Sequence, residues 1–122
     1  MKNLLFMMAL CLFLIGCGEN TDYSGIDPQL NIEEYAFPKE GGTLEIYSKI
    51  EYDLYIADIL DNQVTKDENS ITGSWYKVTF SNWHRNLHIE VQANETGKER
   101  KLPFVIVSGN FRCTTNYIQK AN

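Results

Sequence analysis

The sequence predicts an all-β protein: a single antiparallel, Ig-like β-sandwich of about seven short strands. Three observations carry that prediction. Beyond Pro28, apolar residues recur at every second position through most of the chain. Turn signals such as "PKEGG" and "SGN" separate these runs at sandwich-like intervals. No stretch past residue 28 sustains the i, i+3, i+4 apolar spacing of a helix, and Leu54, Ala57 and Ile59 fit it only loosely.

Taken in order, "LNIEEYAF" starts with Leu30 and Ile32 on one face and then shifts phase to Tyr35 and Phe37, as a bulge requires. In "TLEIYSKI", Leu44 and Ile46 point one way while Thr43, Glu45 and Tyr47 point the other. "YDLYIADI" sets Leu54 with Ile56. The polar stretch from Leu60 to Ser74 reads as a loop or a short irregular strand. "WYKVTF" turns Tyr76, Val78 and Phe80 inward, with Trp75 out of phase and expected to fill a bulge in the core. "SNWHRN" is a turn. "LHIEVQA" is the cleanest strand, with Leu87, Ile89, Val91 and Ala93 inward and His88 outward. The stretch from Asn94 to Gly97 is expected to be the bend of a hairpin. After it come Leu102, Phe104 and Ile106, then Cys113, Thr115 and Tyr117, each set on one face. Pro103 lacks an N–H and is expected at an edge or turned outward.

The N-terminus has a different character. Lys2 precedes an apolar run from Leu4 to Ile15 that is too short to span a bilayer. "LIGC", Leu14 to Cys17, resembles the bacterial lipobox. That resemblance implies a lipoprotein signal peptide over residues 1–16, lipidation of Cys17, and a flexible tether over 17–28 leading to a domain over 29–122. Several acyl chains anchor far more stably than one. Gly18, where an Asp would signal retention, leans towards the outer membrane, at its periplasmic face or the cell surface.

Loss of residues 1–16 removes Lys2, so that 11 Lys plus Arg fall to 10 against 16 Asp plus Glu. The resulting acidic surface argues against nucleic acid and against electrostatic binding to anionic headgroups. With Cys11 discarded and Cys17 lipidated, Cys113 stands alone, without an intrachain disulfide or a CxxC metal knuckle.

The ordered set "EGGTLEIYS", "WYKVTF", "LHIEVQANETGKER", "LPFVIV" and "NYIQKA" resembles the BACON (Bacteroidetes-associated carbohydrate-binding often N-terminal) domain, an Ig-like module, over Leu30 to Ala121. Its most specific part is Asn94 to Arg100, with Gln119 near the C-terminus. The chain departs from the family in offering Tyr52 and Tyr55 where a second Trp is common, and in holding one copy with no catalytic neighbour. The resemblance implies carbohydrate association, with a spacer role as the rival within the same family.

Chemistry is sparse. The acids are scattered, and no spacing isolates a pair for glycoside hydrolysis. Cys113 is expected to be buried and inert, and His88 lies on a polar face. His84 and His88, four apart, would suit a metal on a helix, but here they span a turn and a strand. No catalytic residue, metal or cofactor is expected. Sugar binding needs an aromatic platform flanked by planar hydrogen-bonding groups. Asn82, Trp83, His84 and Arg85 have that makeup, with Trp83 either standing out as the platform or folding back over the end of the sandwich. The expected function is a non-catalytic, lipid-anchored envelope module binding carbohydrate or mucin-like glycoprotein. The alternative is a spacer or adhesion-like subunit contacting another envelope protein.

Overall fold

A computed structural model describes residues 27–122. The expected signal peptide over 1–16, Cys17 and most of the expected tether over 17–28 lie outside the described residues. The chain forms β1 (Glu34–Phe37), β2 (Gly42–Tyr47), β3 (Tyr55–Ala57), β4 (Thr65–Lys66), β5 (Ser70–Thr72), β6 (Tyr76–Ser81), β7 (Asn86–Val91), β8 (Arg100–Lys101), β9 (Val105–Ser108), β10 (Phe111–Cys113) and β11 (Asn116–Gln119). The all-β sandwich stands, cut more finely than about seven strands.

One layer is an antiparallel sheet in the order β2-β7-β6-β5-β4. Its inner face carries Leu44 and Ile46 of β2, Leu87, Ile89 and Val91 of β7, and Tyr76 and Val78 of β6, all buried. Alternation fixes this register, since a one-residue slip would turn those side chains to water. Opposite lie two three-stranded sheets, β10-β9-β3 and β1-β11-β8. They close the core with Phe37, Leu54, Leu102, Phe104, Ile106, Cys113 and Tyr117. β1 runs parallel to β11, so that sheet is mixed, unlike the purely antiparallel expectation.

The two small sheets share two chain runs. Lys101 faces Ile118 and Ile106 faces Cys113, which is one continuous register. Between those pairs the ladder opens, around Pro103 on one run and Thr114–Thr115 on the other. Pro103 therefore sits in a gap between strands, and of the two expectations the outward one holds, since it lies half-buried between the buried Leu102 and Phe104. The Pro103 carbonyl accepts from the Leu60 N–H at 2.8 Å. Each run changes sheet at this gap.

Three other expectations change. The polar stretch from Leu60 to Ser74 holds two strands, β4 and β5, because Ile71 buries against Val78 and brings its neighbours into the ladder. Pro28, placed in the tether, is buried, and the Ser48 hydroxyl donates to its carbonyl. The bend at Asn94 to Gly97 is not a hairpin: β7 and β8 belong to different sheets. There Ala93 is exposed and Asn94 goes inside.

Asn94 and Gln119 are both fully buried. The Asn94 amide donates to the carbonyls of Lys98 (2.8 Å) and Lys120 (3.0 Å), and its oxygen accepts from the Thr96 N–H and hydroxyl. Gln119 donates to the carbonyls of Gln92 (2.7 Å) and Pro38 (3.1 Å), and accepts from Arg100 Nε (2.9 Å). Arg100 also donates to the Ala93 carbonyl and lies 4.0 Å over the half-buried Trp75 ring. Arg100 thus bridges strands and caps a loop carbonyl, while Trp75 packs edge-on against Tyr76.

Replacing Asn94 with Ala orphans two carbonyls and is expected to cost about 2–4 kcal/mol in chemical denaturation. Gly41→Ala is expected to cost more than Gly97→Ala. Both glycines have positive φ, but a Cβ at Gly41 would stand 2.4 Å from the Val91 carbonyl oxygen, whereas at Gly97 it meets open space.

Candidate functional site

Ser81 pairs with Asn86, so Asn82 to Arg85 form the tip between β6 and β7. Asn82, Trp83 and His84 have φ of 52°, 56° and 66°, three left-handed residues in succession with no glycine among them. Each such residue costs about 1–2 kcal/mol, least for Asn. Local contacts offset the strain. The His84 ring stacks on Tyr55 at 5.0 Å and lies against Phe80 at 4.6 Å. Its carbonyl accepts from the N–H of buried Leu54 at 2.6 Å. The Arg85 N–H bonds the Asn82 carbonyl at 3.0 Å, closing the turn.

The result holds Trp83 outward with 89% of its surface exposed. It does not fold back over the sandwich end. The four sequence-predicted residues come together but divide the work. Trp83 is the contact surface. His84 is a prop, its ring occupied by Tyr55 and Phe80. Asn82 starts the left-handed turn. Arg85 reaches Glu51 at 3.9 Å, an exposed pair that contributes little.

Three further side chains join the tip. Tyr47 stands opposite Asn86 at the end of β2. Ile50 sits in the turn closed by the Glu51 N–H on the Ser48 carbonyl. Tyr55 stacks on His84. Tyr47, Ile50, Tyr55, Leu60 and Trp83 are the exposed large apolar residues among those described, and all but Leu60 lie at this end. Tyr47 was legible as the outward phase of β2. Ile50 was not, because the sequence does not say where its turn lands.

Elsewhere, a groove of about 1110 Å³ opens where the ladder breaks, floored by Leu102, Phe104 and Cys113. Its charged side chains are Lys101 and the Asp58–Arg112 ion pair. Cys113 is buried in that floor. The phenol of Tyr76 is pushed up to about 12, first by burial and then by the Asp61 carboxylate. Its hydroxyl meets no described partner in good hydrogen-bond geometry, and the Asp61 carboxylate acts on it by charge and as a poorly aligned acceptor. His88 lies between Glu45 and Glu90 on the outer face of the large sheet. Among the described residues no group of three or more His, Cys, Asp or Glu side chains could hold a metal ion.

No family model and no curated protein matches the chain. Among solved structures, an NMR structure of a protein from Bacteroides thetaiotaomicron is similar, with a TM-score of 0.61 and 21% sequence identity. The match covers 85% of this chain and 97% of that one. At that identity the likeness establishes a shared fold.

The hydrogen bond to Glu45 raises the His88 pKa above its ordinary value of 6.5, with Glu90 adding to it. The charged ring is therefore favoured in the folded state. Its stabilisation is complete below about 6.5 and is lost as pH rises through the higher folded pKa. NMR titration of His88 is expected to give a midpoint above 6.5 that falls towards it in Glu45→Gln.

Proposed function

We propose that this chain is a non-catalytic, lipid-anchored envelope module of the BACON type that holds carbohydrate or mucin-like glycoprotein ligands on its aromatic tip. The observation that carries this reading is Trp83, 89% exposed on a turn of three left-handed residues. Burying an indole is worth several kcal/mol, so leaving it in water on a strained turn serves no purpose within the fold. An open indole face suits the C–H face of a pyranose ring. Asn82, Arg85 and Glu51 stand beside it with planar groups able to bond sugar hydroxyls.

The second reading is a spacer or adhesion-like subunit that contacts another envelope protein. Ile50 favours it, since an exposed aliphatic side chain offers nothing to a hydroxyl but fits an apolar protein surface.

The test is binding of the protein to a panel of polysaccharides and mucins. At least one member is expected to bind. Trp83→Ala should weaken that binding at least about tenfold, or 1.4 kcal/mol, with circular dichroism and melting temperature unchanged. Silence across the panel would sink the sugar reading, and crosslinked recovery of one envelope protein would favour the spacer. Labelled palmitate should enter the wild-type chain and not Cys17→Ala; labelling that persisted would overturn the anchor.

A further inference from the structure

We infer that the sugar taken by this tip is the headgroup of a glycolipid in the membrane to which the chain is anchored. The inference rests on the proposed reading of the tip as a sugar platform, and it follows from which end of the domain carries that platform.

The described chain enters beside the tip. The Lys49 N–H donates to the Gln29 carbonyl at 2.9 Å, the Ser48 hydroxyl to the Pro28 carbonyl, and Leu30 bridges Ser48. Ser48 and Lys49 lie between Tyr47 and Ile50, two of the exposed apolar residues of the tip. The C-terminus leaves from the opposite end. There the Lys120 N–H bonds the Phe37 carbonyl, and the Lys120 carbonyl accepts from Asn94. β2 and β7 run the length between the two ends, with Gly42 against Val91 at one and Tyr47 against Asn86 at the other.

Cys17 and Asp27 are ten positions apart, a span of at most about 35 Å even when fully extended. An anchor at Cys17 therefore keeps the tip end of the domain within about 35 Å of the bilayer, near enough to reach its surface, while the Asn94 end is the farther one. The tip's composition fits that placement, because Trp and Tyr are the side chains of the bilayer interface. Its charge does not favour lipid phosphate. Lys49 and Arg85 are outnumbered by Asp27, Glu51 and Asp53, so electrostatic attraction to anionic headgroups is weak. A convex indole with no surrounding walls binds any one sugar weakly. Presentation of many sugars in the plane of the same membrane raises their effective concentration and makes up that deficit.

The two tryptophans serve as rulers. Trp83 marks the tip, and Trp75, whose carbonyl accepts from the Gln92 N–H, marks the far end. The acylated chain would be placed in phosphatidylethanolamine vesicles with or without lipopolysaccharide, and quenching by aqueous iodide followed in Trp75→Phe and Trp83→Phe, which report one tryptophan each. Lipopolysaccharide is expected to shield Trp83 severalfold relative to plain vesicles and to leave Trp75 unchanged. Trp83 equally open to iodide on both vesicles, but shielded by the soluble polysaccharide released from the same lipopolysaccharide, would overturn the inference and leave the sugar reading standing. Equal shielding on plain vesicles would mark a lipid contact and overturn both. No shielding under any of these conditions would also overturn the inference.

Discussion

The far end of the sandwich depends on two buried amides. Asn94 and Gln119 have no exposed surface, and the nitrogen and oxygen of each side-chain amide are hydrogen-bonded. Through them the chain segments around Pro38, Gln92, Lys98 and Lys120 are tied together, although no ladder joins them all. A fully satisfied polar cluster of this kind specifies one arrangement, because any shift strands a polar group in a low-dielectric interior. Arg100 extends the cluster outwards, from Gln119 at 2.9 Å to the face of Trp75 at 4.0 Å.

That cluster is what lets the second layer be divided. A continuous hairpin from Arg100 to Gln119 would lie in a single sheet. Here its register persists across a break, and each run passes from the β1-β11-β8 sheet to the β10-β9-β3 sheet. The opening costs ladder bonds near Pro103, and the amides hold β8 and β11 in place below it. The Trp83 end is secured differently. There the turn is fixed by ring stacking under His84 and by one backbone bond to Leu54.

Period two made the large sheet legible, because β2, β6 and β7 each bury one face and the inward residues recur without interruption. It could not assign strands to sheets, since alternation is the same whichever neighbour a strand takes. "QANETGK" looked like a hairpin because it is polar and holds a glycine. The side chain of Asn94 instead turned inward, where a short amide can satisfy the carbonyls of a chain crossing between layers. The candidate site was legible as composition, an indole among amides and a guanidinium in "SNWHRN". Its backbone was not, because three successive left-handed residues without glycine run against local preference and are held only by tertiary contacts. Tyr47 was visible as the outward phase of β2, whereas Ile50 joined through the turn that follows β2, which no local pattern records.

Both tryptophans lie beside the same strand, Trp75 just before β6 and Trp83 just after it. Their environments separate what the fold needs from what it does not. Trp75 is covered on one face by a guanidinium and packed edge-on against Tyr76, so its area works for stability. Trp83 is exposed, and Ser81 and Asn86 could be joined by a shorter turn with fewer left-handed residues and no indole. Folding energetics alone would favour that shorter turn. A strained turn of this kind, with a large aromatic surface in water and two tyrosines beside it, contributes nothing to the stability of the fold, and that mismatch is what the proposed contact at this tip rests on.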